Sequence, residues 1–253
     1  MKSTQEHFTL IELLVVIVVI AILAGLLLPA LQSAKKKGMS VKCMGNLSQI
    51  SKYIGMYQTE SNGLVCAVNY YQQYSWQFMV NNGKTVLKTA SPLICPASNT
   101  VRSPGGTYFY WTYGMVVYNG CSDNLINYYN TYIKNKAGDF AIRPVKGASW
   151  LDNYYNVYYR PEKIRVPSRI IFVADSGQVL PNDDQMFYRL TSMGLCEGKA
   201  GIYLQHGPTG NLMFADGHVG AMNPGQIASG TDSRMEYYLD EGRAQHMITY
   251  EDD

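Results

Sequence analysis

At 253 residues the chain is long enough for one large domain or two small ones. Only 16% of it is charged, and 21 basic against 19 acidic residues leave a formal net charge of +2, which removes the electrostatic basis for nucleic-acid binding. Apolar residues make up 47%, far too much hydrocarbon for an intrinsically disordered chain.

That hydrocarbon is unevenly spread. Leu10 to Leu31 reads LIELLVVIVVIAILAGLLLPAL, and only Glu12, Gly25 and Pro29 in it are not apolar. As a helix this stretch is about 33 Å long, enough to cross a hydrocarbon core of about 30 Å. The unbroken Leu/Val/Ile composition disfavours the buried helix of a soluble protein. The length of the run, and the single lysine in MKSTQEH before it, disfavour a cleaved secretory signal. A membrane helix is the better reading. Glu12 is then the informative residue, because a carboxylate inside an apolar segment needs a partner or a function unless it sits at headgroup depth. Lys35, Lys36 and Lys37 follow the span while Lys2 precedes it, so a count of positive charges alone places the C-terminal side in the cytoplasm.

Past the span, Leu47, Ile50, Ile54 and Tyr57 fall on one helical stripe, with Lys35, Lys37, Lys42 and Lys52 as polar surface. Gly38, Gly45 and Gly55 each cost about 1 kcal/mol relative to Ala and mark points of interruption. An unbroken helix from Phe8 to Tyr57 would be about 75 Å long.

The string FTLIELLVVIVVIAILAGLLLPAL, Phe8 to Leu31, closely resembles the N-terminal processing and assembly segment of type IV pilins and type II secretion pseudopilins. The resemblance implies that Met1 to His7 is a cytoplasmic leader removed by a prepilin peptidase. Phe8 becomes the N-methylated mature terminus, and Glu12 neutralises the amino terminus of a neighbouring subunit's Phe8. A buried carboxylate and a buried ammonium each remove the other's desolvation cost, which fixes the axial register between subunits. Pro29, lacking an N–H, is expected to bend the helix or melt it locally. One position departs from the pattern: His7 stands where the family has Gly. The resemblance also places the C-terminal side outside the cytoplasm, against the small charge imbalance. The segment KCMGNLSQI, Lys42 to Ile50, resembles the stretch after this helix in a large bacterial group of such proteins.

Beyond Gly63 short runs rich in Tyr and β-branched residues alternate with Gly, Pro, Asn and Asp. Strands are expected at Tyr108–Tyr118, Tyr154–Tyr159, Ile170–Ala174, Gly201–Gln205, Asn211–Phe214 and His218–Met222. Loops are expected at Ser103–Thr107 and Gln178–Gln185. The 21 tyrosines cluster at Tyr70, Tyr71 and Tyr74, at Tyr128, Tyr129 and Tyr132, and at Tyr154, Tyr155, Tyr158 and Tyr159. They either cover a small sheet or offer amphipathic contact area to subunits or glycans. Five cysteines, Cys43, Cys66, Cys95, Cys121 and Cys196, have no CxxC spacing, which makes zinc improbable. An exported head permits one or two disulfides, with Cys95 in ICPAS the first candidate.

HGPTGNLMFADGHVG places His206 nine residues ahead of Asp216-Gly217. This matches the H-X9-DG element of proteins associated with prepilin-type processing, and VPSRIIFVADSG, Val166 to Gly177, resembles the same group. From the residues alone, Asp216-Gly217 between apolar runs predicts a tight hairpin with positive φ at both turn positions, with His206 hydrogen-bonding to it. The ligand reading gathers Asp175, His206, Asp216 and His218 around a cation, and a carboxylate–imidazole set suits a transition metal better than calcium.

The organisation expected is a leader over 1–7, a membrane and assembly helix over 8–31, an amphipathic continuation over 32–58, and a β-rich head over 59–253. The fold class is α+β: a long N-terminal helix packed on a Tyr-rich, mostly antiparallel head, pilin-like. GxSxG, HExxH and a phosphate loop are all missing, so an enzyme is not expected, and no resident cofactor is required. The function implied is a structural subunit of the bacterial inner membrane, single-pass, with its head exported to the periplasm or cell surface. Its partners are the prepilin peptidase/methylase and related subunits in a type IV pilus-like filament or type II secretion pseudopilus. The alternative is a surface module binding polysaccharide, in which the helix serves only export and anchoring. A tethered hydrolase using His206 and Asp216 is a third, weaker reading.

Overall fold

The computed structural model describes residues 9–69, 74–75, 93, 95–97, 113–118, 123–142, 157–178, 189–191, 200–242 and 244–250. It divides into two compact units, Met1–Gly38 and Met39–Asp253. The expectations for His7, Phe8, Tyr70, Tyr71, the Ser103–Thr107 loop, Tyr154, Tyr155, Cys121 and Cys196 lie outside the described residues.

Helix α1 spans Leu10–Glu60, 51 residues. It opens on a reciprocal cap. The Glu12 N–H donates to Thr9 Oγ1 at 3.3 Å, and Glu12 Oε2 accepts from the Thr9 N–H and hydroxyl, each at 2.8 Å. This Thr-x-x-Glu box satisfies donors that a helix start leaves unpaired. At the other end Asn62 (φ 52°) and Gly63 (φ 81°) take left-handed conformations, and the Gly63 N–H donates to Gln58 O at 2.9 Å. The helix runs unbroken through Gly38, Gly45, Gly55 and Pro29, against the expected interruptions and local melting. One lost donor at Pro29 is outweighed by strong helix formers on either side.

The two stretches of α1 differ in what they bury. Residues 9–38 are all exposed, and the leucines, valines and isoleucines from Leu10 to Leu31 point outward on every side of the helix. In the second unit Cys43, Leu47, Ile50 and Ile54 are buried along one stripe, with Tyr57 half-buried. The predicted stripe is therefore present, extended one turn back to Cys43. Full burial of each aliphatic member contributes about 1.5–3 kcal/mol.

The remaining elements are β1 (Val65–Asn69), β2 (Tyr74–Ser75), β3 (Gly114–Val117), helix α2 (Asp123–Tyr128), a π turn (Tyr129–Ile133), helix α3 (Lys134–Ala137), β4 (Ala141–Ile142), β5 (Val157–Tyr159), β6 (Ile171–Ala174), β7 (Ser176–Gln178), β8 (Arg189–Thr191), β9 (Ala200–Tyr203), β10 (Gly210–Phe214), β11 (Val219–Met222), helix α4 (Pro224–Gly230), β12 (Tyr237–Leu239) and β13 (Gln245–Met247). Among the described residues three sheets form, ordered β2-β1-β5-β4, β11-β10-β6-β3-β8 and β13-β12-β9-β7, and of their pairings β3–β8 and β12–β9 alone are parallel. This is the α+β, pilin-like arrangement, a long helix with mostly antiparallel sheets.

The central sheet is the buried one. Every residue of β3, β6 and β10 is buried, matching the near-continuous apolar strings GMVV, IFVA and GNLMF. Ser40 of α1 donates to Asn211 Oδ1 of β10 at 3.1 Å, and Gly217 packs so closely on Ser51 that a Cβ there would stand 2.6 Å from its Oγ. Among the described tyrosines of the second unit, Tyr113, Tyr118, Tyr128, Tyr129 and Tyr159 belong to the core, while Tyr53, Tyr57, Tyr158, Tyr203, Tyr237, Tyr238 and Tyr250 are half-buried and Tyr132 is exposed. Tyr113, Tyr118, Tyr129 and Tyr159 are completely buried. Edge-to-face contacts link Phe140 to Tyr118, Tyr129 and Tyr159 at 5.3 to 5.6 Å. Their hydroxyls serve the backbone where short strands leave it unpaired. Tyr159 Oη donates to Val116 O at 2.6 Å and accepts from the Tyr118 N–H at 3.1 Å, while Tyr129 Oη accepts from the N–H groups of Phe140 and Ala141.

Candidate functional site

Four chain segments meet at one buried point. Cys43 lies on the buried stripe of α1, Cys95 in the turn after Leu93, Asp175 between β6 and β7, and His206 after β9. All four are buried, and one ligand atom from each lies within 4.8 Å of every other. The Cys43 thiol donates to Asp175 Oδ1 at 2.9 Å. Cys95 Sγ stands 3.1 Å from His206 Nε2, and Asp175 Oδ2 stands 3.5 Å from the same nitrogen. Around them, Tyr113 Oη donates to Cys43 Sγ at 3.1 Å and the Asn211 N–H donates to Asp175 Oδ2 at 3.0 Å.

The electrostatics follow from burial and mutual contact. Burial pushes the Asp175 carboxyl up to about 7, the Cys95 charge adding to the effect and His206 opposing it. Burial would also raise the Cys95 thiol, but hydrogen bonds from Cys43 and His206 outweigh it and bring the group to about 5. Cys43 is driven far upward by burial, and then by its neighbours Cys95 and Asp175. Burial alone lowers His206; the Cys95 hydrogen bond and the charges of Asp175 and Cys95 raise it overall.

Cysteine, histidine and aspartate in contact invite comparison with a nucleophile relay, which the geometry refuses. In a relay the carboxylate orients one ring nitrogen and the nucleophile meets the other. Here Cys95 and Asp175 face the same Nε2, and His206 Nδ1 is buried without a hydrogen-bond partner. The groups converge on a point instead of lying in series.

The sequence-predicted ligand set is accordingly split. Asp175 and His206 meet, but Asp216 and His218 form a separate, partly exposed pair, with His218 Nδ1 2.6 Å from Asp216 Oδ1 and the imidazole stacked on Phe214 at 4.1 Å. Nor does His206 bond to the hairpin turn. The turn also differs from expectation, because Gly217 (φ 89°) has positive φ and Asp216 does not. The Phe214 N–H donates to His218 O at 3.0 Å and the Gly217 N–H to Phe214 O at 2.9 Å. That is a three-residue loop, Ala215 to Gly217, with a left-handed glycine bulge. Cys43, Cys66 and Cys95 are free thiols, so the bridge expected at Cys95 is not formed among the described residues. Sequence reasoning missed Cys43 and Cys95 as members of the cluster. The signal for Cys43 was available, since it stands one helical turn before Leu47 on the same stripe.

A second feature is a cleft of about 420 Å³ lined by Tyr132, Lys136, Arg169, Thr231, Arg234 and Tyr250, among others. The Arg234 guanidinium lies over both flanking rings, 4.3 Å from Tyr132 and 4.8 Å from Tyr250. Arg169 is held by both carboxylate oxygens of Asp232, at 2.9 and 3.1 Å.

The chain is similar to the type IV wide pilus major component PilA4 of Thermus thermophilus, 46% identical over 57 residues, which are 22% of this chain and 44% of that protein. It is also similar to the type II secretion system core protein G of Aeromonas hydrophila (36% over 61 residues, 24% of this chain and 43% of that one) and of Dickeya chrysanthemi (32% over 62 residues, 24% and 40%). The chain thus spans less than half the length of the curated relatives it matches, and none of the three names denotes an enzyme. No protein-family model and no solved structure matches it.

Proposed function

We propose that the chain is a pilin-like or pseudopilin-like structural subunit, held in the bacterial inner membrane by the first part of α1 and assembling through it, with its head exported. One observation carries the reading. From Leu10 to Leu31 the helix exposes leucine, isoleucine and valine on all sides, and none of these residues is buried. Exposed apolar surface of this extent calls for lipid or for other apolar helices. Similarity to pilus and secretion-system components over about a quarter of the chain supports the same class.

In this reading a prepilin peptidase/methylase cleaves after His7 and methylates Phe8. Glu12, capped by Thr9 within the single chain, exchanges that contact for the Phe8 ammonium of a neighbouring subunit. Type IV pilus-like filament and secretion pseudopilus are the two assemblies it fits. Intact-mass analysis of protein extracted from membranes reads cleavage directly, the expected chain beginning at Phe8. Glu12→Gln is expected to reduce neighbour crosslinking between helices at least tenfold while the protein stays in the membrane fraction; unchanged crosslinking removes Glu12 from assembly.

The cleft around Arg234 favours a second reading, a surface module for polysaccharide. Its volume falls in the ligand range of about 300–1,000 Å³, and its lining joins the Tyr132 and Tyr250 rings with Arg234 between them. A glycan array probed with the detergent-solubilised chain decides: selective binding lost in Arg234→Ala supports the module, and silence leaves the filament subunit.

A further inference from the structure

We propose that Cys43, Cys95, Asp175 and His206 form a closed four-ligand site for a zinc-class divalent transition ion. The ligand types come first. Two thiolates, one imidazole and one carboxylate make a set that tetrahedral zinc accepts and that calcium and magnesium, which want oxygen, do not. Spacing is the second argument. Bonds of about 2.0–2.3 Å around a tetrahedral ion separate its ligands by roughly 3.3–3.8 Å. Three of the six separations, 2.9, 3.1 and 3.5 Å, lie near that range without an ion, and all six are within 4.8 Å. The third is orientation. His206 turns Nε2 toward both Cys95 and Asp175 while its Nδ1, equally buried, has no partner, so the ring is set by the point its ligand nitrogen faces.

The surroundings complete the site. Tyr113 Oη aims at Cys43 Sγ and the Asn211 N–H at Asp175 Oδ2, outer contacts of the kind that fix ligand orientation and raise metal affinity. The Asn211 side chain is itself held by Ser40. Four protein ligands in a space closed to solvent leave no coordination position for a substrate, so the role is structural. The ion ties the Cys43 turn of α1 to the Cys95 turn and to the ends of β6 and β9. Binding takes all four groups in their deprotonated forms and releases to solvent the protons they carry, the Cys43 thiol proton among them. Two thiolates and the Asp175 carboxylate against the ion's two positive charges leave one net negative charge, which the Tyr113 hydroxyl and the Asn211 N–H face.

A Cys43–Cys95 disulfide is the competing chemistry, since the two sulfurs are neighbours. It would take the thiol partner from Asp175 Oδ1 and from His206 Nε2 together, leaving the carboxyl with the Asn211 N–H and His206 and the imidazole with Asp175 alone. The ion uses all four groups at once. Ligands scattered from position 43 to position 206 on a helix, a turn and two strand ends have no CxxC signature, which is why the spacing argument pointed away from zinc.

The test uses the full chain, solubilised in detergent after expression with added zinc. Elemental analysis is expected to give one zinc per chain. Replacement by cobalt is expected to give thiolate-to-metal charge transfer in the near ultraviolet and intense tetrahedral visible bands. His206→Gln and Cys95→Ser abolish stoichiometric metal; Tyr113→Phe keeps the stoichiometry and weakens affinity about 10- to 100-fold in chelator competition. The wild-type cobalt spectrum stands as evidence even where a ligand variant fails to fold. Two results overturn the proposal: wild-type protein kept reduced and loaded with zinc that carries no stoichiometric metal, or a Cys43–Cys95 linked peptide as the main form in protein isolated from zinc-supplemented cells without chelator and with its thiols blocked at lysis.

Discussion

The two stretches of α1 share one backbone conformation and obey opposite side-chain rules. Residues 10–31 are apolar at nearly every position and bury nothing within the chain, whereas Met39 to Glu60 bury only the stripe Cys43, Leu47, Ile50 and Ile54. Acidic groups of the two units differ in the same sense. Glu12 is exposed and held by its own Thr9, while Asp175 is buried among Cys43, His206 and the Asn211 backbone. Helix formation therefore says nothing about where a helix finds its partner; the width of its apolar face does. A narrow stripe is satisfied inside the fold. A face that runs all the way round needs a partner that the described residues do not supply.

Charge placed in each stretch is the strongest way to break this contrast. Ile50→Asp puts a carboxylate into the core and is expected to destabilise the second unit by more than about 4 kcal/mol, which leaves the protein insoluble or unfolded by near-ultraviolet circular dichroism. Ile20→Asp, at a residue 59% exposed, is expected to leave the melting temperature of the second unit unchanged and to deplete the protein from the membrane fraction. Equal destabilisation by both would end the distinction.

Smaller in effect, Tyr159→Phe removes one hydroxyl and strands Val116 O and the Tyr118 N–H in the core. The expected loss is about 1–3 kcal/mol, a melting shift of roughly 2–12 °C for a unit of this size. Tyr132→Phe, on an exposed ring, is expected to change nothing measurable. Gly217→Ala comes next at about 1–2 kcal/mol. It forces a left-handed alanine and places a Cβ 2.6 Å from Ser51 Oγ. Ser51→Gly is expected to recover the steric part of that cost and leave the backbone part.

Much of the fold was legible because its signals are local. The expected strands Ile170–Ala174, Gly201–Gln205, Asn211–Phe214 and His218–Met222 correspond to β6, β9, β10 and β11 within one or two residues. In Tyr108–Tyr118 and Tyr154–Tyr159 the described residues pair as Gly114–Val117 and Val157–Tyr159. Strands β1, β2, β4, β7, β8, β12 and β13 were not anticipated: all but β1 are only two or three residues long, and SGQ, RLT and QHM carry little β signature of their own and are strands only through their partners. The hairpin was right and its turn type wrong: Asp-Gly serves a two-residue turn and a glycine bulge equally well, and the Gly217-to-Phe214 hydrogen bond selects the second. The buried cluster was half legible. His206 stood out through the H-X9-DG element, with Asp175 in VPSRIIFVADSG grouped beside it, but cysteines on a helix and in a turn meet them only through tertiary packing.

The smallest expected effect separates the two regions most cleanly, because the same device occurs in both. Thr9 with Glu12 opens α1, and Asn223 with Gln226 opens α4, each as a reciprocal capping box. Asn223 Oδ1 accepts from the Gln226 N–H at 2.9 Å, and α4 carries the fully buried Ile227. Fraying that start loosens a core contact, so Asn223→Ala is expected to cost about 1 kcal/mol and roughly 2–4 °C in melting temperature. Thr9→Ala deletes an equivalent hydrogen bond at an exposed helix start that buries nothing. Its effect is expected to be absent from the melting of the second unit and visible as faster amide exchange in the first turn of α1. If Thr9→Ala lowers the melting temperature as much as Asn223→Ala does, the first part of α1 is coupled to the core and its outward apolar face has a partner within the chain after all.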